Sequence, residues 1–531
     1  MYDLLFTGGT VIDGTGSPRV SADVAVSGDR IAAIGPLSGA DARRTIDCRG
    51  LVVAPGFIDV HNHSDGWMVK EPHQTWKTSQ GFTTEVLMAD GISYAPVDEQ
   101  NWRQWIYYLR SLNGLSLADY RGWKSLGDYL SLIDGRNVQN CAAHVPYANV
   151  RVLACGFGRN IPPDDVQLRE IKARIRQGME EGAVGLSTGL DYVNQCHAMT
   201  DEIAAACTAV VPYGGLYVTH VRYKIGLLPA LREAVEIGRR SGVKVHISHL
   251  KGSSEQEVQE VLAFIDNEAR RQVDFSFEVY PYQRGSTMLN YLLPYEVWAD
   301  GPLGVLAKLD RPEIRSRFRA ALDAFGVPLS QMTIAWTAMP GGESLLGMPL
   351  DEFVRQRGKE PHEALIDLLI DSNLGTLLVA GPPTDHLVEP LVQHDLAILG
   401  SDGIYQPGGH VHPRVYGSAA RWLGPFVRDR KLFSLETAVH KLSGQSAARY
   451  GLTDRGVIRQ DAFADLVVFD PATIADRATY DNPRQTSTSV STVAINGQVI
   501  VENGQPSALP AGPLSGRFLR RETALSNAIS K

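Results

Sequence analysis

The chain has 531 residues, of which 44% are hydrophobic and 21% are charged, and its formal net charge at pH 7 is −8. This composition is that of a globular protein long enough for two or more structural units. It excludes a strongly basic nucleic-acid-binding protein, and no apolar run approaches the roughly 20 residues needed to span a bilayer.

The N-terminus and the cysteines indicate the cellular compartment. The first residues, Met1-Tyr-Asp-Leu-Leu-Phe, contain neither a basic segment nor a cleavage site, so we expect no signal peptide. The cysteines are odd in number and none has the spacing of a metal-binding pair: Cys48, Cys141, Cys155, Cys196 and Cys207. Free thiols are typical of a reducing compartment, so the sequence predicts a cytoplasmic protein.

The two ends of the chain have the same β-rich character. Residues 1–53 contain short strand-like runs separated by glycine and proline, and similar runs occupy 464–469 and 493–500, with an Asn496-Gly497 hairpin turn. Neither end has enough apolar surface to be stable alone. We therefore expect residues 1–53 and 456–531 to pack together as one small β-sandwich domain.

The intervening residues, 54–455, alternate strand-like and helix-like segments. The strand-like runs end near eight residues: His61, Asp90, His144, Ser187, His220, His249, Tyr280 and Asp402. Helical patterns cover 98–112, 163–181, 200–211, 227–241 and 254–271. Repeated βα units with polar residues at the strand ends predict an α/β fold of the TIM type, a (β/α)8 barrel with its active site at that face.

One connection is too long for a simple crossover. More than a hundred residues separate Tyr280 from Leu396, and they include strand-like runs at 333–338 and 376–380. We interpret residues 284–395, approximately, as an insertion that caps the site.

Histidines at the ends of these runs predict a metal site. His61 and His63 are two residues apart, so on a strand both imidazoles face the same side, where one ion can bind both at about 2.0–2.1 Å. His220 and His249 end two further runs. His246 is three residues before His249 and faces the opposite way, so we expect it to be a packing residue.

Asp402 lies in a Ser401-Asp402-Gly403 sequence after the last predicted strand. An ordinary Asp-Gly turn is the alternative. Beside a metal, however, an aspartate can accept a proton from an activated water molecule and pass it to a leaving amine. The sequence thus indicates Asp402 as a candidate general base.

Taken together, the motifs resemble the D-aminoacylase branch of the amidohydrolase superfamily, from about residue 2 to residue 505. They are PGFIDVHNH (55–63), QGFTTE (80–85), GLSTGLDY (185–192), THVR (219–222), HISHLK (246–251) and ADLVVFDP (464–471). The resemblance implies a zinc hydrolase of N-acyl-D-amino acids. His220 and His249 would hold the tighter zinc, His61 and His63 would line a second position, and Asp402 would shuttle the proton.

The resemblance also implies how the substrate is held. Lys251, Tyr280 and Ser286 would bind its carboxylate, and Arg222 and Arg414 are second candidates for that role. The alternative for Lys251 is an exposed lysine at the start of a loop. We further expect that Tyr192 donates a hydrogen bond to the developing oxyanion.

The main departure from the family pattern is Asp90, which occupies the position of a metal-ligating cysteine. A carboxylate is a harder ligand than a thiolate, so we expect one or two zinc ions with tolerance of manganese or cobalt. No lysine is present at 183–189 to serve as a carboxylated bridge, which makes Asp90 the expected bridge. Glu85 is five residues earlier and should face away.

The substrate is less firmly indicated than the chemistry. Aromatic residues are concentrated at 102–128 and 289–301: Trp102, Trp105, Tyr107, Tyr108, Tyr120, Trp123, Tyr291, Tyr295 and Trp298. They could form core or a pocket for a large acyl group or amine. A linear N-acyl compound is the first expectation, and a cyclic amide or an aminoacylated secondary metabolite is the alternative.

Two further function classes are disfavoured. A nucleobase aminohydrolase would have a glutamate three residues after His220, where this chain has Tyr223. An inactive scaffold should have lost ligands, but all of them are present. The expected partner is a small-molecule amide rather than nucleic acid or membrane, and the sequence leaves a homo-oligomer open.

Overall fold

The structure is a computed structural model that describes residues 1–158 and 161–521, and its fold is mixed α/β. Its strands are β1 Tyr2–Val11, β2 Val20–Ser27, β3 Arg30–Gly35, β4 Ala42–Asp47, β5 Val52–Pro55, β6 Phe57–Asp59, β7 Phe82–Leu87, β8 Asn140–Ala143, β9 Val145–Pro146, β10 Gly185–Gly189, β11 Leu216–His220, β12 Lys244–Ile247, β13 Phe275–Glu278, β14 Gly285–Met288, β15 Met332–Thr337, β16 Thr376–Ala380, β17 Ala397–Ile398, β18 Leu466–Phe469, β19 Val490–Ile495, β20 Gln498–Glu502 and β21 Gln505–Pro506.

The α-helices lie mainly between the strands of the central part. They are α1 Asp65–Lys70, α2 Thr75–Thr78, α3 Trp102–Asn113, α4 Leu126–Leu130, α5 Tyr147–Cys155, α6 Asp165–Glu180, α7 Thr200–Cys207, α8 Leu227–Ser241, α9 Glu255–Phe264, α10 Arg270–Gln272, α11 Gly301–Leu306, α12 Pro312–Phe325, α13 Leu350–Arg357, α14 Pro361–Asp371, α15 Glu389–Gln393, α16 Arg414–Arg421, α17 Leu435–Leu442 and α18 Gly444–Tyr450. Among the described residues, none of the helices is both long and apolar enough to cross a membrane.

The two ends of the chain form one sheet. Its order is β21-β20-β19-β18-β5-β1-β2-β3, with β4 paired to β1, and the ends meet where β5 pairs antiparallel with β18. One face buries apolar side chains from both ends, among them Phe6, Val26 and Val468. Strands from the two ends of the chain thus belong to one sheet.

The last described residues do not extend this sheet. Cys141 in β8 donates its N–H to Arg517 and accepts one from Leu519, so residues 517–519 run beside β8. Residues 522–531, the end of the predicted segment 456–531, lie outside the described part of the chain.

Parallel strands make up the central part. One sheet has the order β6-β7-β8 and a second the order β17-β13-β12-β11-β10-β9, with every pairing parallel. Only His144 separates β8 from β9, and a parallel bridge between Asn62 and Gly403 joins the segments that follow β6 and β17. The carboxyl ends of the strands therefore face one common region.

The long connection has its own sheet. β14, β15 and β16 pair antiparallel, and helices α11 to α14 accompany them. β16 has the predicted bounds, and β15 begins one residue before the predicted run at 333–338.

The predicted helices are present with small differences at their ends. Helix α8 has the predicted bounds, and α6 begins after Asp164, whose side chain accepts the N–H groups of Val166 and Gln167. Helix α3 begins at Trp102 rather than at 98, because the Asp98 carboxylate accepts the N–H groups of Gln100 and Asn101 and holds them in a turn.

Candidate metal centre and active site

Four buried histidines converge at the carboxyl ends of the parallel strands. His61 and His63 follow β6, His220 ends β11, and His249 lies two residues beyond β12. The His220 Nδ1 and His249 Nε2 atoms are 3.0 Å apart, and the ring centroids of His61 and His249 are 5.1 Å apart. The predicted set of imidazoles is thus brought together.

Asp90 lies between these imidazoles. Its Oδ1 is 3.6 Å from His61 Nε2 and 3.7 Å from His249 Nε2, and its Oδ2 is 3.7 Å from His63 Nε2. Ligands of one zinc ion, each about 2.0–2.2 Å from it, lie roughly 3–3.5 Å from one another. The separations are close to this range, and the two carboxylate oxygens face different imidazoles, as in a bridging ligand.

The residues fit a divalent metal. His61 Nε2 and Asp90 Oδ1 are buried and have no hydrogen-bond partner, which is costly unless an ion or water is bound there. Two sets of ligand atoms lie within 4.8 Å of one another: His61, Asp90 and His249, and His61, His63 and Asp402. Nitrogen and carboxylate oxygen are donors that zinc, manganese and cobalt all accept.

An unusual backbone directs three of these side chains. Asp90, His249 and Asp402 have φ values of 57°, 36° and 48°, in the left-handed region that non-glycine residues seldom occupy. The strands predicted to reach Asp90 and Asp402 end earlier, β7 at Leu87 and β17 at Ile398, because these turns follow them. Both aspartates therefore belong to loops rather than to strands.

Carboxylate and amide groups orient the imidazoles from outside the ligand set. His61 Nδ1 lies 2.5 Å from Glu278 Oε1, and His63 Nδ1 lies 3.1 Å from Asn113 Oδ1. His220 Nε2 lies 3.3 Å from Asp191 Oδ2. None of these three orienting residues is predicted from the sequence. Glu278 could have been found from its position, because it ends β13 and histidines lie at or just after the ends of other strands.

Two residues weighed in the sequence analysis lie outside the ligand set. His246 has both ring nitrogens bonded, to Ser276 and to Glu278, as expected for a packing histidine. Glu85 faces Lys77 and Gln139 instead of the imidazoles, and burial raises its pKa to about 8.

The site carries surplus negative charge. Burial alone would lower the pKa of His61, but the carboxylates of Asp90 and Glu278 raise it to about 10. Burial alone would raise the pKa of Glu278, but the neighbouring His61 and His246 lower it to about 2. The raised pKa of His61 and the lowered pKa of Glu278 have the same cause: the buried carboxylates attract positive charge on the neighbouring imidazoles. A metal ion would supply that charge.

Asp402 faces both the imidazoles and an arginine. Its Oδ1 is 3.2 Å from His63 Nε2, and its Oδ2 is 2.8 Å from Arg414 Nη1. Although burial opposes ionisation, Arg414 and His63 hold the pKa of Asp402 well below its usual value. Asp402 is therefore a carboxylate at neutral pH. Arg414 is fully buried, and it also donates from Nη2 to the carbonyl of Ser286.

A cavity of about 490 Å³ opens onto this cluster. Lys251, Tyr280, Ser286 and Tyr192 line it together with ligand residues and Asp402. The Lys251 ammonium lies 3.9 Å from the centre of the Tyr280 ring, and burial and the charge of Arg414 lower its pKa well below the usual value.

Local hydrogen bonds hold these lining residues. Lys251 Nζ donates to the carbonyls of Gln283 and Arg284, and Ser286 Oγ donates to that of Leu378. Lys251 is thus a partly buried wall residue and not an exposed lysine at the start of a loop.

Arg222 lies outside the cavity lining. Its guanidinium donates to the carbonyls of Leu190, Cys196 and Ala198 and pairs with Glu233, and it does not line the cavity. These contacts hold the loop after β10, which carries Asp191 and Tyr192.

The aromatic segments divide between core and cavity. Trp105, Tyr108 and Trp123, from residues 102–128, are buried in the hydrophobic core. Tyr291 lines the cavity, and both Tyr291 and Tyr295 donate their hydroxyls to Asp191. The core interpretation therefore holds for the first segment, whereas the second reaches the site.

Comparison with known proteins agrees with this geometry. A sequence model of the amidohydrolase family matches residues 44–291 and 382–501. The chain is 36% identical to a D-aminoacylase of Alcaligenes xylosoxydans xylosoxydans and 33% identical to an N-acyl-D-glutamate deacylase of the same organism. Each match covers 98% or more of both chains.

Solved structures give the same result. A D-aminoacylase crystal structure superposes with a TM-score of 0.81 at 33% identity, covering 98% of this chain and 100% of that one. The zinc- and phosphonate-bound N-acyl-D-glutamate deacylase of Bordetella bronchiseptica gives a TM-score of 0.82 at 31% identity, covering 98% and 99%. From the matching family model and the near-complete coverage of these relatives, this chain belongs to the amidohydrolase family.

Proposed function

We propose that this protein is a zinc-dependent hydrolase that cleaves the linear amide bond of N-acyl-D-amino acids. The observation that carries the proposal is the shared cavity, which is lined by His63, His220 and His249 of the histidine cluster, by the ionised Asp402 and by Lys251. Relatives that cover nearly the whole chain are a D-aminoacylase and deacylases of N-acyl-D-glutamate and N-acyl-D-aspartate, which supports the D configuration.

We also propose the architecture in which the site lies. Counted with β8 and β9 as one, the parallel strands close into a TIM-type (β/α)8 barrel within residues 54–455, with the insertion at about 284–395. The Asn62–Gly403 bridge supports the closure. Residues 1–53 and the segment from 456 form the β-sandwich domain, supported by the β5–β18 pairing.

The proposed metal ligands are His61, His63, Asp90, His220 and His249. Ring nitrogens of His61, His63 and His249 lie within 3.7 Å of the Asp90 carboxylate, and His220 joins the set through its contact with His249. Bound zinc would supply Lewis acidity, both to a water molecule and to the amide carbonyl. One or two ions fit, and Asp90 with two oxygens facing different imidazoles would bridge a pair. Because the donors are nitrogen and oxygen, manganese or cobalt should also support activity.

Asp402 is the proposed proton carrier. Arg414 holds its Oδ2 and leaves Oδ1 beside His63 at the inner end of the cavity. As a carboxylate, Asp402 can accept a proton from the attacking water and donate it to the leaving amine nitrogen. Substitution by asparagine keeps the shape of the side chain and removes this capacity.

Substrate recognition is proposed for the cavity wall. Lys251, Tyr280 and Ser286 lie together there and would hold the substrate carboxylate, while Tyr192, with its ring centroid 4.7 Å from that of His220, would donate to the oxyanion. Arg414 supports Asp402 and Arg222 supports the Asp191–Tyr192 loop, so we assign both to positioning rather than to direct binding.

We infer a cytoplasmic enzyme that acts on a small-molecule amide, without a nucleic-acid or membrane partner, and its assembly as a homo-oligomer stays open. The support for the compartment is the cysteines, four of which, Cys48, Cys141, Cys196 and Cys207, are buried free thiols.

Activity on paired enantiomers tests the proposal. Zinc-loaded protein is incubated with the N-acetyl derivatives of D- and L-methionine and of D- and L-leucine, and released amino acid is measured. We expect turnover of the D forms, none with Asp402→Asn, and equal zinc content in both proteins. Turnover of the L forms alone, or of neither enantiomer by a zinc-replete protein, would refute the assignment.

A further inference from the structure

A group of buried charges lies beside the metal site without belonging to it. The Lys77 ammonium, 1% exposed, contacts the carboxylate of Asp59, the hydroxyl of Ser401 at 3.0 Å and the carboxylate of Glu85 at 3.3 Å. Asp59 and Glu85 are fully buried. None of these side chains lines the cavity, so the group has no direct access to a substrate.

Asp59 holds the residue that precedes the proposed proton carrier. Its Oδ1 accepts the backbone N–H of Ser401 at 2.7 Å, and its Oδ2 accepts the Ser401 hydroxyl at 2.5 Å. Two backbone bonds continue this attachment, from Asp402 N to the carbonyl of His61 at 2.7 Å and from His63 N to the carbonyl of Gly403 at 3.1 Å. Hydrogen bonds thus join each end of the segment 401–403 to the segment 59–63, which carries His61 and His63.

These hydrogen bonds hold Asp402 in a backbone conformation that is unfavourable for a non-glycine residue. Asp402 has a φ of 48°, a conformation that a non-glycine residue keeps only when its surroundings over-determine it. The Ser401 hydroxyl also accepts the N–H of Gly403, so that one side chain bonds on both sides of Asp402. Loss of this hydroxyl would free the turn to relax toward ordinary φ values.

A purely structural ion pair is the competing explanation. Buried ion pairs add little net stability over apolar residues of similar volume, so stability alone gives a weak reason for this arrangement. Lys77 and Ser401 are also 324 positions apart in the chain, and the contact is made at the residue beside Asp402. The position of this contact, next to Asp402, favours a role in the active site over a purely structural one.

We propose that Lys77, Asp59 and Ser401 form a positioning network that fixes the carboxylate of Asp402 beside His63. Its kinetic consequence rests on the proposed function, because it assumes that Asp402 carries the proton. The geometric consequence is independent of the proposed function, since it concerns only the position of the Asp402 carboxylate.

The kinetic test uses Ser401→Ala, which removes one hydroxyl and leaves every proposed ligand in place. We expect kcat for N-acetyl-D-methionine to fall about 10-fold to 100-fold, the usual effect of losing a supporting hydrogen bond at a metal site, with KM and zinc content unchanged. Ser401→Thr keeps the hydroxyl and should restore most of the loss. Ser446→Ala is the matched control, since it removes another buried serine hydroxyl, one bonded to the carbonyl of Lys441.

The structural test is a crystal structure of the zinc-loaded Ser401→Ala protein beside the wild type. We expect the distance from Asp402 Oδ1 to His63 Nε2, 3.2 Å here, to increase by about 1 Å or more, a displacement large enough to impair catalysis. An unmoved carboxylate, an equal loss in Ser446→Ala, or a loss confined to KM would each overturn the network.

The kinetic and crystallographic tests distinguish failure of the network from failure of the proposed function. If wild-type protein fails to hydrolyse any N-acyl-D-amino acid, the proposed function is wrong and the crystallographic distance alone decides the network. If wild-type protein is active and both the rate and the distance are unchanged in Ser401→Ala, the network is wrong and the function stands.

Discussion

Asp90 presents both of its carboxylate oxygens to the imidazoles of the candidate metal centre. Two carboxylate oxygens face different imidazoles, whereas a thiolate would offer a single softer donor. We expect Asp90→Cys to bind fewer ions per chain and to shift selectivity toward zinc over manganese by about tenfold or more. Metal analysis after dialysis against equal concentrations of both ions gives the result.

Glu85→Gln is the matched control for Asp90. It alters another buried carboxylate of the same region that contacts Lys77 rather than the histidines, so the metal content should not change. Equal metal content and equal selectivity in wild type and Asp90→Cys would show that Asp90 is not a ligand.

Glu278 orients His61 from behind the ligand set. Glu278→Gln keeps a hydrogen-bond acceptor but removes the charge beside His61 Nδ1, which lowers the basicity of the ligand nitrogen. We expect zinc affinity, measured by competition with a chromophoric chelator, to fall about 10-fold to 100-fold. An unchanged affinity would show that the charge of Glu278 does not support metal binding by His61.

Among the residues of the candidate site, the sequence predicts the histidines that converge, and it does not predict the residues that hydrogen-bond to them from behind. His61, His63, His220 and His249 stand at the ends of recognisable strand-like runs, and parallel strand ends must meet. Glu278, Asp191 and Asn113 come from three different elements. Their contacts depend on how helices and loops pack around the sheet, and that information is absent from local spacing.

Among the elements, the insertion is the one that shapes the cavity. Phe325 ends helix α12, Val327 follows it, and both line the cavity with Leu227 and Tyr291. Glu257 is an acidic residue of the same cavity lining. This wall suits apolar groups better than carboxylates.

Phe325→Ala should therefore affect large substrates selectively. We expect kcat/KM for N-acetyl-D-leucine to fall about tenfold, because a shortened apolar wall loses roughly 1–3 kcal/mol of contact, with little change for N-acetyl-D-alanine. N-acetyl-D-glutamate should be the poorest of the three for the wild type. Equal losses for leucine and alanine derivatives would place Phe325 away from the bound substrate.

The periodicity of the sequence predicts helices and strands well here, and turns less well. Helix α8 and strand β16 have the predicted bounds, since their apolar patterns end at clear breaks. The strands expected to reach Asp90 and Asp402 end short of them. Left-handed conformations at aspartate are imposed by the surrounding contacts, and nothing in the local sequence requires them.

In the whole molecule, a buried polar cluster joins the C-terminal strands of the terminal sheet to the central strands. Asp465, just before β18, pairs with Arg455 and accepts from Asn140 of β8. Asn496 bonds both Arg455 and Asn140. The pairing of the ends follows from the sequence, because neither end could fold alone, but this cluster does not.

Asp465→Ala leaves the buried Arg455 without its charge partner. We expect the free energy of unfolding to fall by about 3 kcal/mol, as for the loss of one member of a buried ion pair. Urea denaturation followed by tryptophan fluorescence measures it. Asp476→Ala, which changes an aspartate outside this cluster, is the comparison, and an equal loss in both variants would contradict a specific role for the Arg455–Asp465 pair.

The left-handed turns at Asp90, His249 and Asp402 place backbone strain in the candidate metal centre. Each such residue costs of order 1–3 kcal/mol relative to a relaxed backbone, and glycine at the same place would avoid that cost. Asp402→Gly would remove that cost, but it would also leave the buried Arg414 without its charge partner, which costs about 3–5 kcal/mol. We therefore expect a lower melting temperature for the metal-free variant, measured by thermal unfolding, together with loss of turnover. Heat tolerance in this enzyme is thus not gained by relaxing the turn at Asp402, because the arginine that holds the carboxylate also ties it to the stability of the fold.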